Sequence, residues 1–498
     1  MTGNDEKLEM KPVMPAPSLQ DQLIVTKHTL YLGAQEIPYT ATCGTIVLKE
    51  ETIGKGDQNG QTEGEKARAL IFFIAYTRDQ VEDVSSRPIA FTFNGGPGSS
   101  SVWLHLGLLG PKRVEMGDVG NVLPPPYRLV DNLFSLLDQT DLVFIDPVST
   151  GYSRAVPGEK PKDFHDFKKD IESVGDFIRL YTSRYQRWTS PKYLIGESYG
   201  TTRAAGLSGY LQERHGMYLN GLVLVSSVLN FQTLEFESGN ELPYLLYLPA
   251  YTAAAWYHQR LPASLQKKDL PVVLEEVESF VFDEYNSALL KGDALTDLER
   301  SRIIRKLARY TGLSEDYIAR ANLRLEIMRF TKELLRDKRR TIGRLDSRFT
   351  GIDRDAGGEH FEYDPANAAI KGPYTAAFNQ YVRAELGYES DLPYEVIKNL
   401  WQDWSYTEYH NKYVEVAETL RRAISTNPAL RVFIANGYYD LATPYFASEY
   451  TFNHLALDPT LRSNIAMRYY EGGHMMYVHL PSLEKLKGDL VEFLRQRV

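Results

Sequence analysis

The chain has 498 residues, 43% of them hydrophobic, enough for a sizeable core with an insertion or second unit beside it. Its 56 Lys and Arg against 65 Asp and Glu give a formal net charge of −9, so recognition of a phosphate backbone, and with it a nucleic-acid partner, is not expected. The single cysteine, Cys43, excludes an intramolecular disulfide, and the lack of any run of about 18 apolar residues excludes a membrane-spanning helix.

Residues 1–22 open as MTGNDEKLEMKPVMPAPSLQ, polar and proline-containing. They read as a disordered lead-in, and without an apolar h-region they are no signal peptide. The expected compartment is cytoplasmic, or periplasmic or secreted if a signal peptide has been removed ahead of Met1. Next come Leu23–Tyr31, Thr40–Leu48 and Leu70–Tyr76, closely spaced and β-rich, which predict an antiparallel start to a sheet. Cys43 falls in the second of these and suits a small buried hydrophobe.

From Arg87 the pattern becomes strand, turn, helix. Ile89–Phe93 is a strand, followed by NGGPGSSS and a helix-like run Val102–Leu109; Asp141–Ile145 is the next strand. Within Asp166–Tyr185 the apolar residues Phe167, Ile171, Val174, Ile178, Tyr181 and Tyr185 recur at steps of four and three, the mark of an amphipathic helix. Lys192–Ile195 and Leu222–Val225 are further strands, with GESYG and a helix between them. Strands alternating with helices predict a mixed, mostly parallel sheet flanked by helices.

Residues 233–425 break this rhythm and read as a helical cap or insertion. Thr296–Glu299 is a capping box opening a helix to Tyr310, Glu326–Arg340 is charged and helical, and Gly351–Glu359 is a flexible loop. The alternation resumes with the strands Arg431–Ala435 and Ile465–Tyr470, and a helix Pro481–Arg497 closes the chain. The organisation is therefore a lead-in (1–22), a first core part (23–232), a cap (233–425) and a second core part (426–498).

Gly196-Glu197-Ser198-Tyr199-Gly200 is a G-x-S-x-G pattern between a strand and a helix. There the glycines allow a sharp turn that exposes the Ser198 hydroxyl. A hydroxyl nucleophile needs a base. His474, in Gly472-Gly473-His474, follows the final strand and precedes the final helix. The acid that orients it belongs after the preceding strand, where Asp440 ends Asn436-Gly437-Tyr438-Tyr439-Asp440. His479 is the nearest rival base and reads as the start of the last helix. Asn94-Gly95-Gly96-Pro97-Gly98 brings backbone amides close. That of Gly96, with that of Tyr199, would form an oxyanion hole, although a glycine-rich turn also suits a plain β–α junction. The order Ser, Asp, His and the strand contexts predict an α/β-hydrolase fold with a helical cap. No phosphate-loop pattern is present, and no metal or cofactor is called for.

NGGPGSSS, GESYG, YYDLATP and GGHM, with IDPVSTGYS, together resemble the serine carboxypeptidase family, over nearly the whole chain beyond the lead-in. The resemblance implies release of C-terminal residues from peptides with a free C-terminus. Asn94 and the carboxyl of Glu197 would hold the terminal carboxylate, with Gly95 and Met475 at the pocket. A carboxyl can donate to a carboxylate only while it keeps its proton, so Glu197 suits acid-leaning catalysis. The alternative for Glu197 is a structural ion pair with an arginine such as Arg203. The sequence departs from the family at Leu108, where a second acid often stands, at Ser99 in place of a cysteine, and at Tyr438 in place of an Asp. With disulfides impossible, it resembles a bacterial-type member. An esterase or acyltransferase would use the same triad, and a non-catalytic binding protein could keep the scaffold. Side-chain preference is not written in the motifs, because pocket walls in this fold come from cap and loop residues.

Overall fold

The computed structural model describes residues 19–53, 62–117, 119–121 and 123–496. Residues 1–18 of the expected lead-in lie outside them. Its last positions are ordered, contrary to that expectation: Asp21 accepts a hydrogen bond from the Val47 amide at 2.8 Å and pairs with Arg184, and Gln22 already belongs to a strand.

β1 (Gln22–Leu32), β2 (Gln35–Ile53) and β3 (Thr62–Arg78) form an antiparallel meander at one edge of the main sheet. β4 (Ile89–Phe93), β5 (Asp141–Ile145), β6 (Lys192–Glu197), β7 (Gly221–Val225), β8 (Arg431–Gly437) and β9 (Ile465–Tyr470) complete it. The spatial order is β1-β2-β3-β5-β4-β6-β7-β8-β9, with the two-residue strand Arg154–Ala155 beside β3. β5 joins β3 antiparallel, and every later pairing is parallel. β4 through β7 are buried at every position, as strands covered on both faces must be. Along β7, Leu222 and Leu224 face one apolar cluster while Val223 and Val225 face the other, the period of two expected of a strand.

Helices cover both faces. α1 (Phe167–Arg184), α2 (Tyr199–His215) and α4 (Ala417–Thr426) share one cluster with the sheet, and α3 (Pro365–Ala384) and α5 (Leu480–Arg495) share the other. α1 starts where Asp166 accepts from the amides of Lys168 and Lys169, satisfying donors that a helix N-terminus leaves open. The run after NGGPGSSS is helical at Val102–Leu104 and widens into a π-turn over His105–Leu109.

The span 233–425 packs in two ways. Buried side chains from Leu245 to Ile342 form a helical layer with its own core, closed by Tyr439, Leu441, Tyr445 and Phe446 just after β8. The capping box at Thr296 and Glu299 opens its helix Asp297–Thr311. Beyond that layer, α3 packs under the sheet beside Trp103 and Phe144. The chain then returns through single bridges Ile397–Ser99, Glu395–Gly151, Ser405–Asp166 and Glu415–Asn230. The helix expected over Glu326–Arg340 stops at Glu333. Leu334 and Leu335 turn into the core of this layer, and Arg339 adopts a left-handed φ of 52°. Lys332 pairs with Asp353, and Arg336 reaches the Ala356 and Gly358 carbonyls, so tertiary contacts tie down the segment read as a flexible loop. Among the described residues no helix is long and apolar enough to cross a membrane.

Candidate active site

Ser198 stands between β6 and α2 with φ 59° and ψ −130°, a region that non-glycine residues rarely occupy. The turn is locked by the Ser198 amide on the Val225 carbonyl at 3.0 Å and the Thr201 amide on the Ser198 carbonyl at 2.8 Å. Two glycines make room for it. A Cβ on Gly196 would lie 2.2 Å from the Gly200 carbonyl oxygen, and one on Gly95 would lie 2.4 Å from the Tyr199 amide nitrogen. Ser198, Gly96 and Tyr199 line a common cavity of about 240 Å³, together with Leu234, Tyr247 and Ile327, which pack in or against the helical layer. Gly95 and Met475 are not among its lining residues; Gly95 packs beneath the turn and Met475 joins the cluster under the sheet.

Asp440 is fully buried and well supplied with donors. Its Oδ1 accepts from the amides of Ala442 (2.7 Å) and Thr443 (3.0 Å), and its Oδ2 from the Thr443 hydroxyl (2.8 Å). The same Oδ2 lies 2.8 Å from Nδ1 of His474. Burial pulls the imidazole down, but the charge and hydrogen bond of Asp440, joined by Glu197, outweigh it and raise His474 above its usual value. The hydrogen bonds of the ring among the described residues are both at Nδ1, which leaves Nε2 open and the Ser198 hydroxyl not yet bonded to it. Such contacts often close only when substrate binds. His479 is elsewhere, at the N-terminus of α5, with Nδ1 on the Ser482 hydroxyl at 2.9 Å.

Glu197 lies beneath the nucleophile and is buried. Asn94 Nδ2 donates to its Oε1 at 2.8 Å, and the Tyr477 hydroxyl donates to its Oε2 at 2.5 Å. Burial pushes the carboxyl up to about 7, against the opposing effects of His474 and of both hydrogen bonds. Arg203 does not pair with it: the guanidinium goes to Asp170 at 2.8 Å and to the Asn94 carbonyl at 2.6 Å. Leu108 is buried in the apolar cluster, so burial, rather than a second acid there, is the main force on Glu197. Gly107 leaves room for two phenols, since a Cβ there would meet Tyr477 at 2.4 Å and Tyr374 at 2.5 Å.

Two features carried no recognisable sequence signal. One is Tyr477, three residues past His474. The other is the loop 343–349, between the short strands Thr341–Ile342 and Thr350–Gly351, which touches both halves of the site. The Arg344 carbonyl accepts from the Leu441 amide (3.0 Å), the Tyr439 carbonyl from the Ser347 amide (3.0 Å), and the Leu345 carbonyl from the His474 amide (2.6 Å). Asp346 accepts from the Gly473 amide at 3.1 Å and is held by Arg348 at 2.7 Å. Among the described residues no group of three or more His, Cys, Asp and Glu side chains is arranged to hold a metal ion.

Residues 59–263 match the family described as serine carboxypeptidase. Over that segment, about two fifths of its length, the chain is similar to serine carboxypeptidases. It is 27% identical over 173 residues to the retinoid-inducible serine carboxypeptidase of Rattus norvegicus, covering 34% of each chain. It is 29% identical over 184 residues to the pheromone-processing carboxypeptidase KEX1 of Saccharomyces cerevisiae strain JAY291, covering 34% of this chain and 23% of that one. These matches span about a third or less of the relatives' length. The crystal structure of the Saccharomyces cerevisiae prohormone-processing carboxypeptidase Kex1(delta)p superimposes with a TM-score of 0.56 at 16% identity, covering 91% of both chains. The fold is the α/β-hydrolase fold. The matched segment contains Asn94, Glu197 and Ser198 but ends before Asp440 and His474, which rest on geometry.

Proposed function

We propose that this protein is a serine-type carboxypeptidase acting on peptides with a free C-terminus. The supporting observation is the buried pair Asn94–Glu197 directly beneath a strained serine that shares its site with an Asp–His pair. Below about pH 7 Glu197 keeps a proton. It can then donate to the substrate's terminal carboxylate while Asn94 offers its second amide hydrogen. The scissile carbonyl is thereby fixed over Ser198.

Nε2 of His474 takes the Ser198 proton as Oγ bonds to the carbonyl carbon, and Asp440 stabilises the imidazolium that forms. The Gly96 and Tyr199 amides receive the developing oxyanion. When the C–N bond breaks, the proton passes from His474 to the leaving amine and the terminal residue departs. Water, deprotonated by the same base, then hydrolyses the acyl-enzyme. The helical layer Leu245–Ile342 serves as the cap over the acyl side.

Mass spectrometry of paired peptides with free and amidated C-termini tests this. Loss of single residues from the free acids, with the amides spared at acidic pH, is the expected result. Equal cleavage of both, or turnover of simple esters alone, would favour an esterase or acyltransferase instead.

A further inference from the structure

The cavity beside Ser198 carries a cation with no assigned work. Arg344, half-buried in the loop 343–349, lines it together with Val228, Phe231, Leu234, Tyr247 and Ile327. Among the described residues its guanidinium forms no ion pair and no hydrogen bond, whereas buried Arg87, Arg187, Arg203 and Arg348 all pair with carboxylates. Two acids beside its loop are already engaged. Asp364 accepts from the amides of Leu345, Ala366 and Asn367, and Asp440 from those of Ala442 and Thr443. A guanidinium with no carboxylate partner, in a cavity walled largely by apolar side chains with the exposed Glu235 also on its lining, is poised for an anion brought from outside.

The side of the scissile bond follows from the same geometry, and it rests on the carboxypeptidase reading. Asn94 and Glu197, which would take the terminal carboxylate, are not among the residues lining the cavity. The cavity therefore receives the residue on the acyl side, whose carbonyl is attacked. We infer that Arg344 makes this protein select peptides whose penultimate residue bears an acidic side chain. Glu235 also lines the cavity, but it is exposed, where solvent screens its repulsion.

The test uses the full chain and N-blocked dipeptides X-Leu, with X as Glu, Gln, Lys or Phe, at a pH above the side-chain carboxyl's own value of about 4.3. Wild type is expected to prefer Glu over Gln by about 10-fold or more in kcat/KM, the scale of a charge-assisted hydrogen bond. Added salt should narrow that preference. Arg344→Met should bring the Glu-to-Gln ratio close to one, and Arg344→Glu should turn the preference toward Lys. Ratios within one variant cancel any loss of folded protein. Equal rates for Glu, Gln and Lys in wild type, or a preference for Lys, would overturn the assignment of Arg344 and leave the carboxypeptidase reading standing. Failure to release Leu from any X would instead count against that reading.

Discussion

Glu197 and Arg344 flank the same serine and are prepared in opposite ways. Glu197 is sealed from solvent and fully occupied: both oxygens accept hydrogen bonds, from an amide and a phenol that carry no charge. Arg344 is half-buried and unoccupied. A saturated, desolvated acid is tuned, and what it can do depends on its proton. An unsaturated cation on an open wall selects, and what it can do depends on what arrives. On the proposed reading, one wall governs when a terminal carboxylate is accepted and the other which peptide is accepted.

Both walls depend on a working nucleophile, so the largest effect removes it. Ser198→Ala should lower kcat by about 10³–10⁶-fold with the fold intact by circular dichroism. Near-normal turnover in that protein would show that neither wall serves a serine nucleophile. Asp440→Asn comes next. It keeps the shape but favours the wrong imidazole tautomer, with an expected loss in kcat of up to about 10⁴-fold. Combined with Ser198→Ala it should add little, and independent multiplying losses would separate Asp440 from the mechanism.

Glu197→Gln isolates the tuned wall. In wild type, kcat/KM for free peptides should fall as pH rises through about 7, because Glu197 then ionises and repels the carboxylate. His474, raised above its usual value and needed neutral, gives the opposite limb, with activity lost as pH drops. The two limbs belong to an interacting pair, so the profile should be a bell whose limbs shift together. An amide donates at every pH, so Glu197→Gln should flatten the alkaline limb, and amidated peptides should lack that limb in either protein. One shared profile for free and amidated peptides would make Glu197 structural. The smallest effect is Tyr477→Phe. The phenol's hydrogen bond holds Glu197 down, so its removal should move the alkaline limb to higher pH and change kcat/KM by roughly 2- to 10-fold, the scale of one hydrogen bond.

What the sequence discloses follows the reach of its signals. The sheet was legible because β4, β5 and β7 are short apolar runs bounded by turn residues, and because α1 repeats its apolar positions at helical spacing. The position of GESYG between strand and helix was legible for the same local reason. Asp440 and His474 could be placed because each follows a parallel strand, β8 and β9, and neighbouring parallel strands deliver their C-terminal ends to one edge. Tyr477 was not legible, because a tyrosine three residues past a histidine acquires meaning only when Gly107, 370 residues earlier, leaves space for its ring. Arg344 lies in a stretch crowded with arginines, where burial and the prior engagement of Asp364 and Asp440 single it out only in three dimensions. The helix expected over Glu326–Arg340 erred likewise, since propensity cannot see Lys332 reaching Asp353.

The loop 343–349 makes the cap and the catalytic pair a single mechanical part. The His474 amide hangs on Leu345, Gly473 on Asp346, and the Asp440 turn on Arg344 and Ser347, so the aim of acid and base is inherited from a segment that runs from the helical layer at Ile342 to α3, where Phe349 packs. Loosening that layer need not disturb one strand of the parallel sheet to misalign the chemistry. Loss of activity on warming should therefore precede loss of β-sheet signal, and partial proteolysis within Leu245–Ile342 should inactivate a protein whose sheet still resists. Coincident loss of activity and sheet signal would show instead that cap and core melt together.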